Sequence, residues 1–577
     1  MKATLTTMAL FALATVFAVP SRSFAQASDT LRLYANPISG PTFDQVIMGD
    51  TTATGQRKDP NRVYLLQQTG SVDTVYYYDN SMITNFNVTI IGKRNPVTGM
   101  PPVICPNVLP DGSAPGNLMA PRGTGNVIIL KDLYILGETF NGQHFLGNII
   151  NESGDSTTII YDHDVIDNCA PNLAYMQGKW CNFYMKNCEF RNASNQFWQA
   201  GGCVWGYGAA PLDTVSIVNN TFFGMGRHVI GGPGYVKYFN YNHNTNFLGT
   251  GGLFIMTAGL ADANFTNNIF YGVEAHGADS AYVLRGLANY AHQPFGVIMV
   301  DSMGAIGPQY GITEAQRHIT VENNAYCWPK QLYTFWNSVN DTAPGLLFPP
   351  EWMNPQTDSM FNNKTAWPYL IQANNDSVDP GFSSTMVNSM TDSLVKFIGL
   401  IGYPPGNAGT FRWWYLPTNP NPADVFNQFP KNWGGWSTGY PVPENLAYSN
   451  TALQSAGTDG FALGDLNWYP AQLRAFDSLA TPVLTRPKVA TKFALSQNYP
   501  NPFNPTTEIR VTLQHAGSMS LKVYDVLGQL VDVVAEGYRP AGEYLFNVNM
   551  DRFASGVYFY TLRQGGSSIT KKMVLLK

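Results

Sequence analysis

Carboxylates that converge are the first place to look for chemistry in this chain. Aligned on a recurring polar-x-x-apolar pattern, the segments place Asp164 directly over Glu189, with Asp162 and Asp167 close by and His163 between them. Equivalent residues of adjacent stacked strands lie about 4.8 Å apart. Two carboxylates at that spacing repel, so they call for a cation or a raised pKa. Asp164, Glu189 and Asp162 are therefore candidate ligands for Ca²⁺, an oxygen-seeking ion. A second group is aromatic. Nine of the 12 Trp lie between Trp328 and Trp468, among many Pro and Gly. Trp413, Trp414, Trp433 and Trp436 could offer flat faces for sugar rings to stack on; alternatively, Trp and Pro pin down a long irregular segment that covers other elements. Asp459, Asp465 and Asn467 add an oxygen-rich loop without the spacing of an EF-hand.

The elements that must hold these groups are written in a repeat. The pattern polar-x-x-apolar-x-Gly/Asn returns as Asp132-Ile135-Gly137, Asp162-Val165-Asp167, Asn187-Phe190-Asn192, Asn219-Phe222-Gly224, Asn244-Phe247-Gly249, Asn267-Phe270-Gly272 and Asn323-Tyr326-Trp328. Upstream of each polar residue, apolar residues alternate with period two, as in Ile128 and Leu130 or Val215 and Ile217. That is a strand with one buried face. Units of this length that cannot bury their own face must stack, which predicts a solenoid, and with strands the solenoid is a parallel β-helix. Asn at each bend can ladder from turn to turn and tolerates the left-handed backbone. The competing reading of regular strands is a β-sandwich. The interval of 56 residues from Asn267 to Asn323 holds two turns or one turn with an insertion.

Composition narrows the classes further. A chain of 577 residues exceeds one compact globule. Charged residues make up 13% and aromatics 13%, and the net charge is -5, so no basic stripe exists to neutralise nucleic acid phosphates. Residues 1–27 read as a signal peptide: Lys2, an apolar run to Val19, then Ala25-Gln26-Ala27 as the cleavage site. No later stretch is long and apolar enough to span a membrane, so export through the periplasm is expected. In that oxidising setting Cys169, Cys181, Cys188 and Cys203 are candidates for pairing. Residues 31–130 carry further strands, broken by a Pro/Gly-rich loop at 95–125.

Asn87-Val-Thr-Ile-Ile-Gly92, the N-x-x-F rungs and Val378-Asp379-Pro380-Gly381-Phe382 resemble the pectate-lyase-type right-handed β-helix superfamily. The resemblance implies an all-β protein with a right-handed parallel β-helix over 28–380, followed by the Trp/Pro-rich segment 381–480. Its motifs recur in lyases, hydrolases, esterases and adhesins, so fold does not deliver function. Lyases of this superfamily hold Ca²⁺ against a uronate while a Lys or Arg removes the proton α to the carboxyl group. That implies an ion at Asp164 and Glu189 and a base among Arg191, Arg227 and Arg285. His276-Gly277 resembles part of the Gly-His-Gly of polygalacturonases, with Ala275 in place of the first Gly.

Past a linker at 481–492, Asn498-Tyr-Pro-Asn-Pro-Phe-Asn-Pro505, Leu521-Lys-Val-Tyr-Asp-Val-Leu-Gly528 and Lys571-Lys-Met-Val-Leu-Leu-Lys577 resemble the type A C-terminal sorting domain of the type IX secretion system, found in Bacteroidetes and related phyla. Over 493–577 this implies a small β-sandwich, engagement with that secretion machinery, and delivery to the cell surface or extracellular space. Two functions are then open: a surface-displayed β-helix that binds glycan or builds surface structure, and a Ca²⁺-dependent lyase of an acidic polysaccharide. Only eight Lys or Arg lie from Lys131 to Arg317, a sparse charge that favours the first, since uronate polymers need a basic groove.

Overall fold

The computed structural model of the chain forms two compact units, one reaching Ala480 and the other running from Thr481 to Lys577. It describes residues 30–401, 444–479 and 493–577, less 34–39, 56, 69–74, 138, 140–146, 168, 170–171, 192–201, 207–209, 226–227, 233, 250–253, 256–258, 276–277, 280–295, 343–346, 514–516, 540–541 and 565–566.

The first unit is a parallel β-helix. Its described strands fall into three parallel sheets of 11, 10 and 7 strands, and each central turn places one strand in each. One such turn comprises Asn172–Met176 in the seven-stranded sheet, Cys181–Lys186 in the 11-stranded sheet and Glu189–Arg191 in the ten-stranded sheet. Inward columns stack like with like. Ile128, Ile159, Phe183, Val215, Phe239, Ala263, Ile319 and Leu370 form one buried register column. No turn could close over such a column alone, which is why the turns cohere.

The corner between the 11- and ten-stranded sheets needs a left-handed residue. Asp132, His163, Asn187, Asn219, His243, Asn267, Asn323 and Asn374 supply it, with φ between 51° and 60°. The residue after each corner turns inward. There Asn220, Asn244, Asn268 and Asn324 form a buried ladder: each Oδ1 accepts the backbone N–H of the preceding turn, at 2.8 to 3.0 Å, and each Nδ2 donates to a backbone carbonyl of that turn. Backbone groups that the bend strands inside the solenoid are thereby satisfied.

This corner shifts two rungs by one residue from the sequence alignment. His163, not Asp162, and His243, not Asn244, hold the corner positions. In consequence Phe247 leaves the interior column, where Asn246 takes its place, and stacks outside between Phe223 and Tyr271, at 5.3 and 5.4 Å. The 56-residue interval is one turn with an insertion, because Leu260–Thr266 pairs directly with His318–Glu322. The stretch expected as a loop at 95–125 contributes strands Val103–Pro106 and Met119–Pro121. None of the six cysteines is in a disulfide, and five of them are buried.

The second unit is antiparallel, with one sheet of three strands and one of four. Alternation in Thr506–Leu513 buries Thr507, Ile509, Val511 and Leu513 on one face. These meet Leu521, Val523, Tyr560 and Leu562 in a core of their own.

Candidate functional site

The carboxylates singled out from sequence are separated by the corner. Strand Val165–Asp167 pairs with Glu189–Arg191 so that Glu189 lies over Val165 and Asp164 over Cys188. Asp164 is buried at one end of the Asn ladder, where Oδ1 accepts Leu133 N–H at 2.8 Å and Oδ2 accepts Asp162 N–H at 3.2 Å. Burial, and then the nearby Asp162 and Asp132 charges, push its carboxyl well above the usual range. Asp162 points outward into a charged row, pairing with Lys131 and with His163 at 2.6 Å. Those partners offset its burial and hold it down at about 2. Among the described residues no group of three or more His, Cys, Asp or Glu side chains converges as a metal site.

Arg191 sits at the centre of a buried ionic cluster. Its guanidinium contacts Asp167 at 2.8 Å through Nη1 and grips Glu444 through both Nε and Nη2, the latter at 2.9 Å. Tyr134 donates to the same Asp167 oxygen at 2.6 Å. The side chains of Arg191, Asp167 and Glu444 are all at most 1% exposed. The two carboxylates overcome burial and raise the guanidinium's pKa, so Arg191 holds its proton. Burial and the Glu444 charge push Glu189 well above the carboxylate range.

Glu444 begins a segment, 444–479, that lies on the outer side of the ten-stranded sheet. Leu463 and Leu466 pack beside Phe223, Phe247 and Tyr271. Polar contacts run along the corner: Asp459 meets His243 at 2.8 Å, Asp477 meets Lys186 at 2.6 Å, Thr458 meets Asn267, and Leu466 N–H donates to Asn219. The oxygen-rich loop is thereby engaged within the protein, with Asp465 accepting from Thr221 at 2.7 Å and from Asn467 N–H at 2.8 Å.

A different surface carries polar columns, in which Ile160, Thr214, Ser216 and Asn240 are buried, most of the others are part-exposed and His318 is exposed. The outer face of the 11-stranded sheet carries two columns in register: Thr158, Asn182, Thr214, Tyr238, Asp262 and His318, and beside them Ile160, Tyr184, Ser216, Asn240, Asn264 and Thr320. Lys237 pairs with Asp213 at 3.5 Å and lies over the Tyr238 ring. Immediately before the strand bearing Asn182 and Tyr184 stands Trp180. Its indole meets Tyr235 and Tyr310 edge-on, at 6.0 and 5.6 Å, and those two rings stack at 4.2 Å. Tyr310 comes from the inserted segment, which Arg317 ties down by donating to Leu260 and Asp301 carbonyls and pairing with Glu314. Trp180 is 37% exposed and has φ 59°, in a corner column otherwise held by Gly125 and Ser156. A bulky residue in that conformation is strained.

Arg227, Arg285, His276, Trp413, Trp414, Trp433 and Trp436, like the segment 1–27, lie outside the described residues. The anchoring role of Asp167 and Glu444 and the ring cluster at Trp180 were not read from the sequence. The first needs a contact across 253 residues, and the second depends on how the insertion folds back.

Comparison with known families decides one part of the chain. Residues 497–576 match the secretion system C-terminal sorting domain. This type IX sorting tail marks the protein for export to the cell surface or extracellular space and implies engagement with the secretion machinery. No curated protein matches the chain significantly. Among the described residues no helix is long and apolar enough to cross a membrane.

Proposed function

We propose that this exported protein reaches the outside through the periplasm and there binds glycan without catalysis. The pectate-lyase-type β-helix would serve as its scaffold, and the outer face of the 11-stranded sheet as its binding surface. The observation that carries this reading is Trp180. An indole held at φ 59° costs on the order of 1 kcal/mol of backbone strain, yet 37% of its surface stays exposed beside Tyr235 and Tyr310. Strain of that kind is retained where a side chain must be presented. Sugar rings offer apolar faces to indole and phenol rings, and hydroxyls to the amides and hydroxyls of the part-exposed Asn182, Asn264, Tyr184 and Tyr238. The pairing of Lys237 with Asp213 leaves this surface little net charge, which suits a neutral polymer better than a uronate.

The test is titration of the purified protein against a panel of neutral and uronic polysaccharides, alongside Trp180→Gly. Gly relaxes the backbone, so the melting temperature should stay within about 3 °C of wild type, while affinity for the bound glycan falls about tenfold or more. Unchanged affinity would remove the ring cluster from the site. Unsaturated products released from a uronic polymer, and abolished by a chelator, would instead establish the Ca²⁺-dependent lyase reading.

A further inference from the structure

The sorting unit leaves one face uncovered. Val526, Leu527, Leu530 and Val533 are 66%, 78%, 51% and 45% exposed, and Val557 is 37% exposed. By register Leu530, Val533 and Val557 share the outward face of the sheet, which also carries Lys522. Val526 and Leu527 occupy the tip of a hairpin, and Leu530 is the register partner of Tyr524, itself the partner of Phe559 two residues from Val557. Val533 lies opposite Lys522 on the same strands. The tip is conformationally fixed: Asp525 Oδ1 accepts the N–H groups of Leu527 and Gln529, each at 2.9 Å, and Gly528 takes φ 77°. Strand Leu530–Arg539 is also the last of its sheet, pairing among the described strands only with Gly517–Tyr524. Its outer edge therefore presents main-chain groups of its own.

A fixed turn has no folding reason to display two aliphatic side chains, and an apolar face bordering a free strand edge is an aggregation hazard unless a partner uses it. This domain is a secretion sorting domain, so a protein of the export machinery must recognise it. We propose that the hairpin tip and outer sheet face formed by Val526, Leu527, Leu530 and Val533, with Tyr524 and Phe559, are where that machinery takes hold of the chain. The partner surface would be apolar and protein in nature, burying Leu527 and Leu530 as anchors and adding main-chain hydrogen bonds along Leu530–Arg539. This rests on the sorting assignment but specifies the surface that performs it.

The experiment expresses the full chain in a bacterium with a working type IX system and measures the fraction outside the cell envelope. Its arms are wild type, Leu527→Asp with Leu530→Lys, Tyr499→Ser as a control at an exposed residue outside the face, and deletion of 493–577. The paired variant should be exported about tenfold less or worse, with the control at the wild-type level and melting of the purified variant unchanged. If the charged pair lowers melting, Leu527→Ser with Leu530→Thr repeats the test without added charge, and normal export of that pair overturns the proposal. Export of the deletion at the wild-type level would sink the sorting role and this surface with it. Retention of the deletion together with normal export of the paired variant would overturn the surface alone. A wild-type dimer dissociated by the paired variant, with export intact, would assign the face to self-association and overturn the proposal as well.

Discussion

Asp164 shows how one atom can set a residue's role. It occupies the ladder position that Asn220, Asn244, Asn268 and Asn324 fill in later turns, and it accepts backbone N–H groups as they do. What it lacks when ionised is their Nδ2 donor. Its raised pKa follows, because a buried carboxylate with no countercharge at that spot is better protonated. A carboxyl whose folded pKa is raised contributes stability below its unfolded pKa and loses it as pH rises. Asp164→Asn should therefore stabilise the solenoid by about 1 kcal/mol or more at pH 8, and the gain should vanish near pH 4. Denaturant unfolding at the two pH values checks this. A variant less stable than wild type at pH 8 would show that the carboxylate has a partner the Asn cannot serve.

At the scale of elements, the repeat was legible because period-two alternation and a bend residue survive in almost every turn. What the sequence concealed was which residue takes the left-handed corner. Asn dominates that position, so a pattern keyed on Asn or Asp slides to Asp162 and Asn244 where the corner residue is His163 or His243. Both histidines have a polar partner, Asp162 and Asp459, but nothing local announces that His has replaced Asn. The slip by one residue is what brought Asp164 and Glu189 together on paper and moved Phe247 to the wrong side. The segment 444–479 illustrates the opposite difficulty: its anchors are ionic and distant in sequence. Arg191→Met leaves Asp167 and Glu444 buried without their cation and should cost about 3–5 kcal/mol. Limited proteolysis of that variant should cut first within 444–479. Wild-type stability would mean that the apolar contacts of Leu463 and Leu466 hold the segment unaided.

Across the whole molecule, the same column logic gives the β-helix an unusual set of buried acids, and their titration fixes how it responds to pH. Burial lifts Asp164 and Glu189 well above the carboxylate range, and Glu152 and Asp465 to about 7 each. Their stabilising contributions are complete below the unfolded carboxylate value of about 4 and are lost as pH rises above it, those of Glu152 and Asp465 by about pH 7. Opposing them, His163 and Lys131 draw Asp162 down to about 2, and His243 holds Asp459 below its ordinary value. Those contributions are present above about pH 4 and are lost as pH falls toward 2. Both sets are close to fully effective only near pH 4. Thermal melting of the mature protein should thus peak near pH 4 and decline steadily from about pH 5 to 7, a slope that Glu152→Gln combined with Asp164→Asn should flatten. Because these acids are shielded from solvent, the slope should persist in high salt, where surface charge pairs are screened. A melting temperature that climbs between pH 5 and 8, or a slope that salt abolishes, would mean that exposed pairs such as Lys186 with Asp477 govern the response instead.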